Sequence, residues 1–336
     1  MKNTKARTAI ITGIDGQDGP YLAKLLATKG YKVYGITRQS TRNESSNLTS
    51  LGLQNEVDII QCDICDPMLV SRLIRRIAPT EFYNLAAQSF VGGSWDLAGI
   101  TTQINANAVL GILQAIQNYS PSTRFYQAST SELFGNSSNK QDEETPFAPE
   151  SPYAAAKLYA YWTTKIFRKS HGIHASNGIL FNHESPIRGP QFVTRKITKG
   201  IANIVAGKAE VIELGNLDAK RDWGFAGDFV EAMWLMTQQE SSDDYVVATG
   251  KTHSIRDFLD IAFSQIGIAD WSHYVKSNRN FFRPSDVNVL QGDPAKARAV
   301  LGWTPKTSFK ELVTMMVHSD LKLLGVSIPK HLSSVA

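Results

Sequence analysis

The chain has 336 residues, enough for one large or two modest domains with a real core. Hydrophobic residues make up 42% and charged residues 20%, and the net charge of +4 argues against a dedicated nucleic-acid binder while allowing small anionic ligands. No apolar run approaches the roughly 18–20 residues of a membrane span, and the basic start "MKNTKARTAIITG" runs straight into a strand without a signal-peptide core, so a cytoplasmic protein with no membrane or nucleic-acid partner is expected.

Strand-like and helix-like runs then alternate. "TAIITG" (8–13) reads as a strand, and "GPYLAKLLATKG" (19–30) has helical periodicity and closes on a glycine. "YKVYGIT", "VDIIQCD", "EFYNLAA" and "RFYQAS" follow, each separated by a helix-sized segment. Such alternation predicts an α/β protein with a Rossmann-type, doubly wound parallel sheet covered by helices on both faces. The only cysteines, Cys62 and Cys65, form a C-x-x-C at a strand end. Without a second pair no zinc site, and no metal, is expected, and free thiols suit a reducing cytoplasm.

Beyond about Leu180 the pattern becomes irregular. "FNHESPIRGPQF" and "LGNLDAKRDWG" are rich in turn formers and charge. They predict a smaller substrate-binding domain interleaved with the first. The expected division is 1–180 plus about 217–250 for dinucleotide binding, and about 181–216 plus 251–336 for the substrate.

Gly13, Gly16 and Gly19 form G-x-x-G-x-x-G between the first strand and the first helix, with Gln17 and Asp18 inside the loop. Glycines there let the backbone turn tightly and approach a pyrophosphate, which the helix N-terminus receives. The second strand ends in Thr37, Arg38, Gln39 and Ser40, where an NAD enzyme usually carries an acid. A cation with hydroxyls suits the 2′-phosphate of NADP; a solvated basic loop of Arg38 and Arg42 is the alternative. Asp63, ending the third strand, is placed to meet the adenine edge.

"QASTSELFG" sets Thr130 and Glu132 just after a strand, and "SPYAAAKLYAYW" contains Tyr153-x-x-x-Lys157. Spacing i, i+4 puts the tyrosine and lysine on one helix face, where an ammonium can lower the phenol pKa toward neutrality. The tyrosine can then take a hydroxyl proton while hydride leaves the same carbon. A second pair, Tyr161 and Lys165, lies about 80° round the helix. Pro152 marks the helix start and puts Tyr153 in the first turn, near the carboxyl end of the sheet, so the first pair is the candidate. Alcohol oxidation needs only a hydroxyl and a tyrosine. Glu132 adds a base suited to removing the proton next to a new ketone, followed by β-elimination. Tyr159, Tyr161 and Trp162 read as an interface or core stripe.

These segments, with "YNLAAQSFVGGSW", "GILFNHESP", "VTRKI" and "LQGDPAKARAVLGW", resemble the GDP-mannose 4,6-dehydratase family of the extended short-chain dehydrogenase/reductase group, from about residue 7 to 325. The resemblance implies that Thr130, Glu132, Tyr153 and Lys157 are catalytic. It implies tightly bound, recycled NADP, held by the glycine loop with Gln17 and Asp18, with further contacts at Leu85, Ala86 and Ser89, at Tyr153 and Lys157, and at His183 and Arg188. Substrate contacts are implied at Ser89, Glu132, Asn182, Lys196, Gly215, Arg221 and Arg283; for the 218–222 run a solvated turn is the alternative. The expected activity converts GDP-mannose to GDP-4-keto-6-deoxymannose by internal hydride transfer through NADP and loss of water. A related GDP-sugar such as a manno-heptose, or an epimerase or reductase reaction, is the alternative. Helices at 98–119 and 153–167 are expected to pair across a two-fold axis in a homodimer or homotetramer. The family's arginine-rich segment after the second strand is diluted here to "TRQSTRNESSNLTSL".

Overall fold

The computed structural model describes residues 7–38, 47–137, 139–282, 287 and 289–326. The first half runs β1 Thr8–Thr12, α1 Asp18–Thr28, β2 Lys32–Thr37, α2 Asn47–Ser50, β3 Val57–Gln61, α3 Pro67–Ile77 and β4 Glu81–Asn84. Then come α4 Ala98–Thr102, a π-type turn Gln103–Asn107, α5 Ala108–Tyr119, β5 Arg124–Ala128, a 3₁₀ turn Ser131–Phe134, α6 Pro152–His171 and β6 Ala175–Leu180. The second half holds β7 Asn182–Glu184, α7 Val193–Val205, β8 Ile212–Leu214, β9 Lys220–Arg221, β10 Trp223–Phe225 and α8 Ala226–Gln238. It ends with β11 Asp244–Val247, β12 His253–Ser254, α9 Ile255–Ser264, β13 Val275–Ser277, β14 Val289–Leu290, α10 Ala295–Leu301 and α11 Phe309–Leu323.

Seven strands form one all-parallel sheet in the order β11-β6-β5-β4-β1-β2-β3. The order reverses between β1 and β4, and a ligand crevice is expected beyond the carboxyl ends of those strands. Alternate residues of β1 face opposite layers. Ile11 packs with Leu22 and Leu26 of α1 and Phe229 and Met233 of α8. Ile10 packs with Leu73 of α3, Ile112 of α5 and Phe167 of α6. A separate cluster joins Ile197 and Ile201 of α7, Phe258 of α9 and Met316 of α11 around Trp223. In α10, Ala297 and Leu301 pack with the α1–α8 layer of the large sheet.

The helix that carries the tyrosine starts where its sequence says it should. The Ser151 hydroxyl accepts the Ala154 N–H at 3.1 Å, Pro152 occupies the first turn, and Gly172 (φ +66°) ends the helix. The expected single helix at 98–119 is interrupted by the π-type turn. There the Asn105 amide accepts the Gln88 N–H and donates to the Gln88 C=O, both at 2.9 Å. No helix among the described residues is long and apolar enough to cross a membrane.

Candidate active site

Two cavities open at the carboxyl ends of the strands. The first, about 400 Å³, lies at the switch point between β1 and β4 and is lined by Gly13, Gly16, Gln17, Asp18 and Gly19 of the loop. Arg38, Asp63, Leu85, Ala86, Ser89 and Arg188 of the expected cofactor residues stand on its walls; Tyr153, Lys157 and His183 do not line it. The second, about 630 Å³, is lined by Asn182, Lys196, Gly215 and Arg221, together with Glu184 and the rings of Phe90, Phe192 and Phe281. Ser89 lines the first cavity and Phe90 the second, so the two meet at that step of chain. Arg283 lies outside the described residues.

The first cavity has the shape of a dinucleotide cradle because two glycines leave no room for a side chain. Gly13 has φ +69°, and a Cβ there would sit 2.8 Å from the Ala86 nitrogen. A Cβ on Gly19 would sit 2.7 Å from the Gly13 carbonyl oxygen. The loop is therefore folded against the chain leaving β4 and presents the start of α1 to the cleft. Arg38 stands on the wall next to Thr37, and Asp63 accepts the Cys65 N–H at 3.0 Å.

Thr130, Glu132, Tyr153 and Lys157 come together beyond β5. Thr130 caps the 3₁₀ turn: its hydroxyl oxygen accepts the Glu132 N–H at 3.2 Å, and the hydroxyl lies beside the Tyr153 phenol. Glu132 is half-buried one step along the turn. Behind it Gly135 (φ +58°) presses against the Ala148 carbonyl, which admits no side chain. Lys157 donates from Nζ to the Ala128 C=O at 2.8 Å, with its ammonium 5.9 Å from the Tyr153 ring centre.

The expected lowering of the tyrosine pKa is not what this arrangement produces. Burial pushes the Tyr153 phenol up to about 12; the Thr130 hydrogen bond opposes the rise and the Glu132 charge adds to it. Burial also pushes Lys157 down to about 8, against the pull of Asp18. Desolvation dominates both groups, and the lysine points at a carbonyl rather than at the phenol oxygen. The second pair goes elsewhere. The Tyr161 hydroxyl donates to Asp244 at 3.1 Å, and Lys165 lies 3.6 Å from the same carboxylate, which Arg168 also holds.

His183 does not line either cavity. Its Nε2 meets the Asp18 carboxylate at 2.8 Å and its Nδ1 meets the Phe181 carbonyl at 2.8 Å. In the second cavity the buried Asn182 Oδ1 has no hydrogen-bond donor from the protein, an acceptor open to a ligand hydroxyl or amide. Lys196 rests its ammonium 3.5 Å from the Phe281 ring centre.

Several residues were not legible in advance. The Thr12 hydroxyl donates to Asn84 Oδ1 at 2.7 Å, Asn84 donates to Gln127 at 2.9 Å, and Gln127 donates to the Ala128 carbonyl at 2.9 Å. This buried polar rail crosses the ends of β1, β4 and β5 and finishes on the carbonyl that holds Lys157. Glu184, buried beneath the second cavity, accepts the Thr194 hydroxyl at 2.6 Å and pairs with Arg188 at 3.1 Å. For Thr12, Asn84 and Gln127 the available signal was a polar residue at or next to the end of a largely apolar strand; the polar β7 offered none for Glu184.

Comparison with known proteins agrees with this geometry. Residues 10–316 match the family model described as GDP-mannose 4,6 dehydratase. GDP-mannose 4,6 dehydratase 2 of Arabidopsis thaliana is 46% identical, covering 94% of this chain and 87% of that one. GDP-mannose 4,6 dehydratase of Homo sapiens is 45% identical, covering 94% and 92%. GDP-mannose 4,6-dehydratase of Sinorhizobium fredii is 45% identical, covering 96% and 98%. Among solved structures, UDP-glucose 4-epimerase of Thermotoga maritima has a TM-score of 0.83 at 23% identity, covering 94% of this chain and 99% of that one. The dTDP-glucose 4,6-dehydratase of Streptomyces venezuelae, solved with NAD, has a TM-score of 0.83 at 22% identity, covering 95% and 98%. The structural likenesses share the fold, and the sequence matches run through both cavities and the residues between them: the chain belongs to the GDP-mannose 4,6-dehydratase family.

Proposed function

We infer that this chain is a GDP-mannose 4,6-dehydratase, converting GDP-mannose to GDP-4-keto-6-deoxymannose with a nicotinamide cofactor. The observation that carries the catalytic assignment is a carboxylate, Glu132, on the turn capped by Thr130, both close enough to act on the Tyr153 phenol. NADP is the form of cofactor that suits the first cavity, because a cation, Arg38, stands on its wall beside Thr37. The glycines at 13 and 19 leave the backbone clearance a pyrophosphate needs.

When bound, the oxidised nicotinamide supplies a reversible hydride acceptor and a positive charge. The residues of the chain then do the proton work. In the cofactor-free chain burial keeps the Tyr153 phenol protonated; with the positive charge of the bound nicotinamide added to the Lys157 cation near its ring, Tyr153 would act as the phenolate that takes the C4 hydroxyl proton as that carbon becomes a ketone. The ketone acidifies C5, and Glu132 removes its proton. Glu132, helped by Thr130, protonates the departing C6 hydroxyl, which leaves as water. A proton returns to C5 as C6 is reduced, so no net redox change remains. Asn182, Lys196 and Arg221 hold the nucleotide-sugar, the two cations against its diphosphate and the open Asn182 oxygen toward a donor on the ligand.

We assign the layered sheet to dinucleotide binding and the Trp223-centred cluster to the nucleotide-sugar; this departs from the sequence division, because Trp223 lies in the 217–250 segment expected with the dinucleotide domain, and Ala297 and Leu301, which pack on the large sheet, lie in the 251–336 segment expected with the substrate domain. Tyr159, Trp162 and Ile166 are each about half exposed, at 45%, 48% and 54%, and spaced to share one face of α6. Leu97 and Ile100 of the α4 region are equally exposed. This apolar face supports pairing of two copies in a homodimer, or a homotetramer built from it.

The test is turnover of GDP-mannose in heavy water. The expected product has lost water and carries one solvent deuterium at C5, while Glu132→Gln leaves the folded protein unable to eliminate. A fully active Glu132→Gln variant contradicts the assignment of the base.

A further inference from the structure

The glycine loop is tied to β7 across 165 residues of sequence by an ion pair between Asp18, on the wall of the first cavity, and His183, which lines neither cavity. Asp18 and His183 meet at 2.8 Å, with side-chain exposures of 18% and 12%. Both neighbours of the imidazole, the Asp18 carboxylate and the Phe181 carbonyl, are acceptors only, so each ring nitrogen carries a proton and the ring is an imidazolium. It lies nearly flat on Phe229, with ring centres 4.8 Å apart at 19°, a face that favours a cation. Burial opposes the charge on both partners, yet their attraction wins. His183 is held above the ordinary histidine value and Asp18 below the ordinary carboxylate value, with Arg188 a further cation acting on both.

Gln17 doubles the connection. Its amide donates to the His183 carbonyl at 2.9 Å and to Asp18 at 3.1 Å, and its oxygen accepts the Ser185 hydroxyl at 2.9 Å. Strand alternation then divides the labour along β7. Asn182 and Glu184 face the second cavity, while His183 between them turns back to the loop that lines the first.

We propose that Asp18 and His183 are positioning residues, a buried latch that fixes the glycine loop to β7 so that the dinucleotide and nucleotide-sugar cavities bind as one coupled unit. The proposal rests on the reading of those two cavities given above. Order imposed on the loop by one ligand is passed to the strand that holds the other, and the coupling is reciprocal. A reaction that takes hydride from the sugar and returns it later needs both ligands held in one register throughout.

The experiment strips the full-length protein of dinucleotide and titrates it with NADP and with GDP, each alone and with the other saturating. In the wild type both bind, and each tightens the other by the same factor. Asp18→Asn and His183→Gln are expected to weaken NADP by at least about tenfold, to weaken GDP as well, and to bring the mutual factor close to one. The double variant is expected to lose no more than the worse single. A thermal scan checks folding. Should Asp18→Asn not fold, Ser185→Ala, which leaves the ion pair intact and removes a Gln17 partner together with the acceptor of the Ile187 N–H, is expected to reduce the same mutual factor. Folded Asp18→Asn with the wild-type mutual factor, or Ser185→Ala with no effect on it when Asp18→Asn is unfolded, overturns the latch. A wild type that binds both ligands without mutual tightening also overturns it, leaving the cavity assignment intact. A wild type that binds neither ligand overturns the cavity assignment itself.

Discussion

Lys157 sits where its own charge is expensive. Burial lowers its pKa to about 8 from 10.5, so the folded state disfavours the ammonium that the unfolded chain carries freely. Between those two values the unfolded chain holds a proton that the folded one has released, and the stability contributed by this group rises with pH. Below about 8 the full penalty is present. Lys157→Met is therefore expected to stabilise the cofactor-free protein at neutral pH by about 1–3 kcal/mol, less the hydrogen bond to Ala128, about 1 kcal/mol. The gain should fade toward pH 10.5, and turnover should be lost. Denaturant melts at several pH values check this; destabilisation at pH 7 contradicts the burial argument. At this scale the sequence was informative wherever chemistry needs a residue type at a spacing, as with Thr130, Glu132, Tyr153 and Lys157. It was silent on Thr12, Asn84 and Gln127, each of which looks like a tolerated polar residue in a strand until the strands are placed side by side. It also misjudged Tyr153. Spacing announces the lysine, but not that the lysine bonds a carbonyl or that burial sets the phenol.

Among the elements, the glycine loop is the one whose geometry was written most plainly, because its glycines answer a steric demand. A Cβ at Gly19 would lie 2.7 Å from both the Gly13 oxygen and the Ile14 Cα, atoms of the backbone that cannot step aside. Gly19→Ala is expected to destabilise the protein by about 1–3 kcal/mol and to abolish retention of the dinucleotide. Calorimetry and the nucleotide content of purified protein read the two effects; a variant with native melting and full dinucleotide would contradict the clash. The alternating first half was legible for the same reason: five strands and their crossovers repeat one pattern of apolar runs. The second half was not. β8, β9, β10, β12, β13 and β14 are two or three residues long, too short to show alternation, and they pair with partners far away in sequence. The π-type turn at Gln103–Asn107 was also hidden, because Asn105 leaves the helical register to hold Gln88, a contact set by tertiary structure.

In the whole molecule, α6 and the α4 region leave a row of apolar side chains uncovered by the described residues. Trp162 is 48% exposed at its centre, and a charge there would have to be desolvated in any pairing of two copies. Trp162→Glu is expected to leave the fold intact and to shift the protein to monomers in sedimentation; an unchanged assembly would move the contact elsewhere. A second, smaller substrate-binding domain was inferred from the sequence by the switch from regular alternation to turn-rich segments. What the sequence could not give is how closely the cavities are joined, at Ser89–Phe90 on one side and through Asp18 and His183 on the other.

The most direct measurement is the mass of the sugar nucleotide after the purified protein is incubated with GDP-mannose and no added dinucleotide. A product lighter by one water, with no net reduced dinucleotide formed, is the result expected of an internal hydride cycle with retained cofactor and a carboxylate base. Unchanged GDP-mannose, with dinucleotide supplied as well, would contradict it.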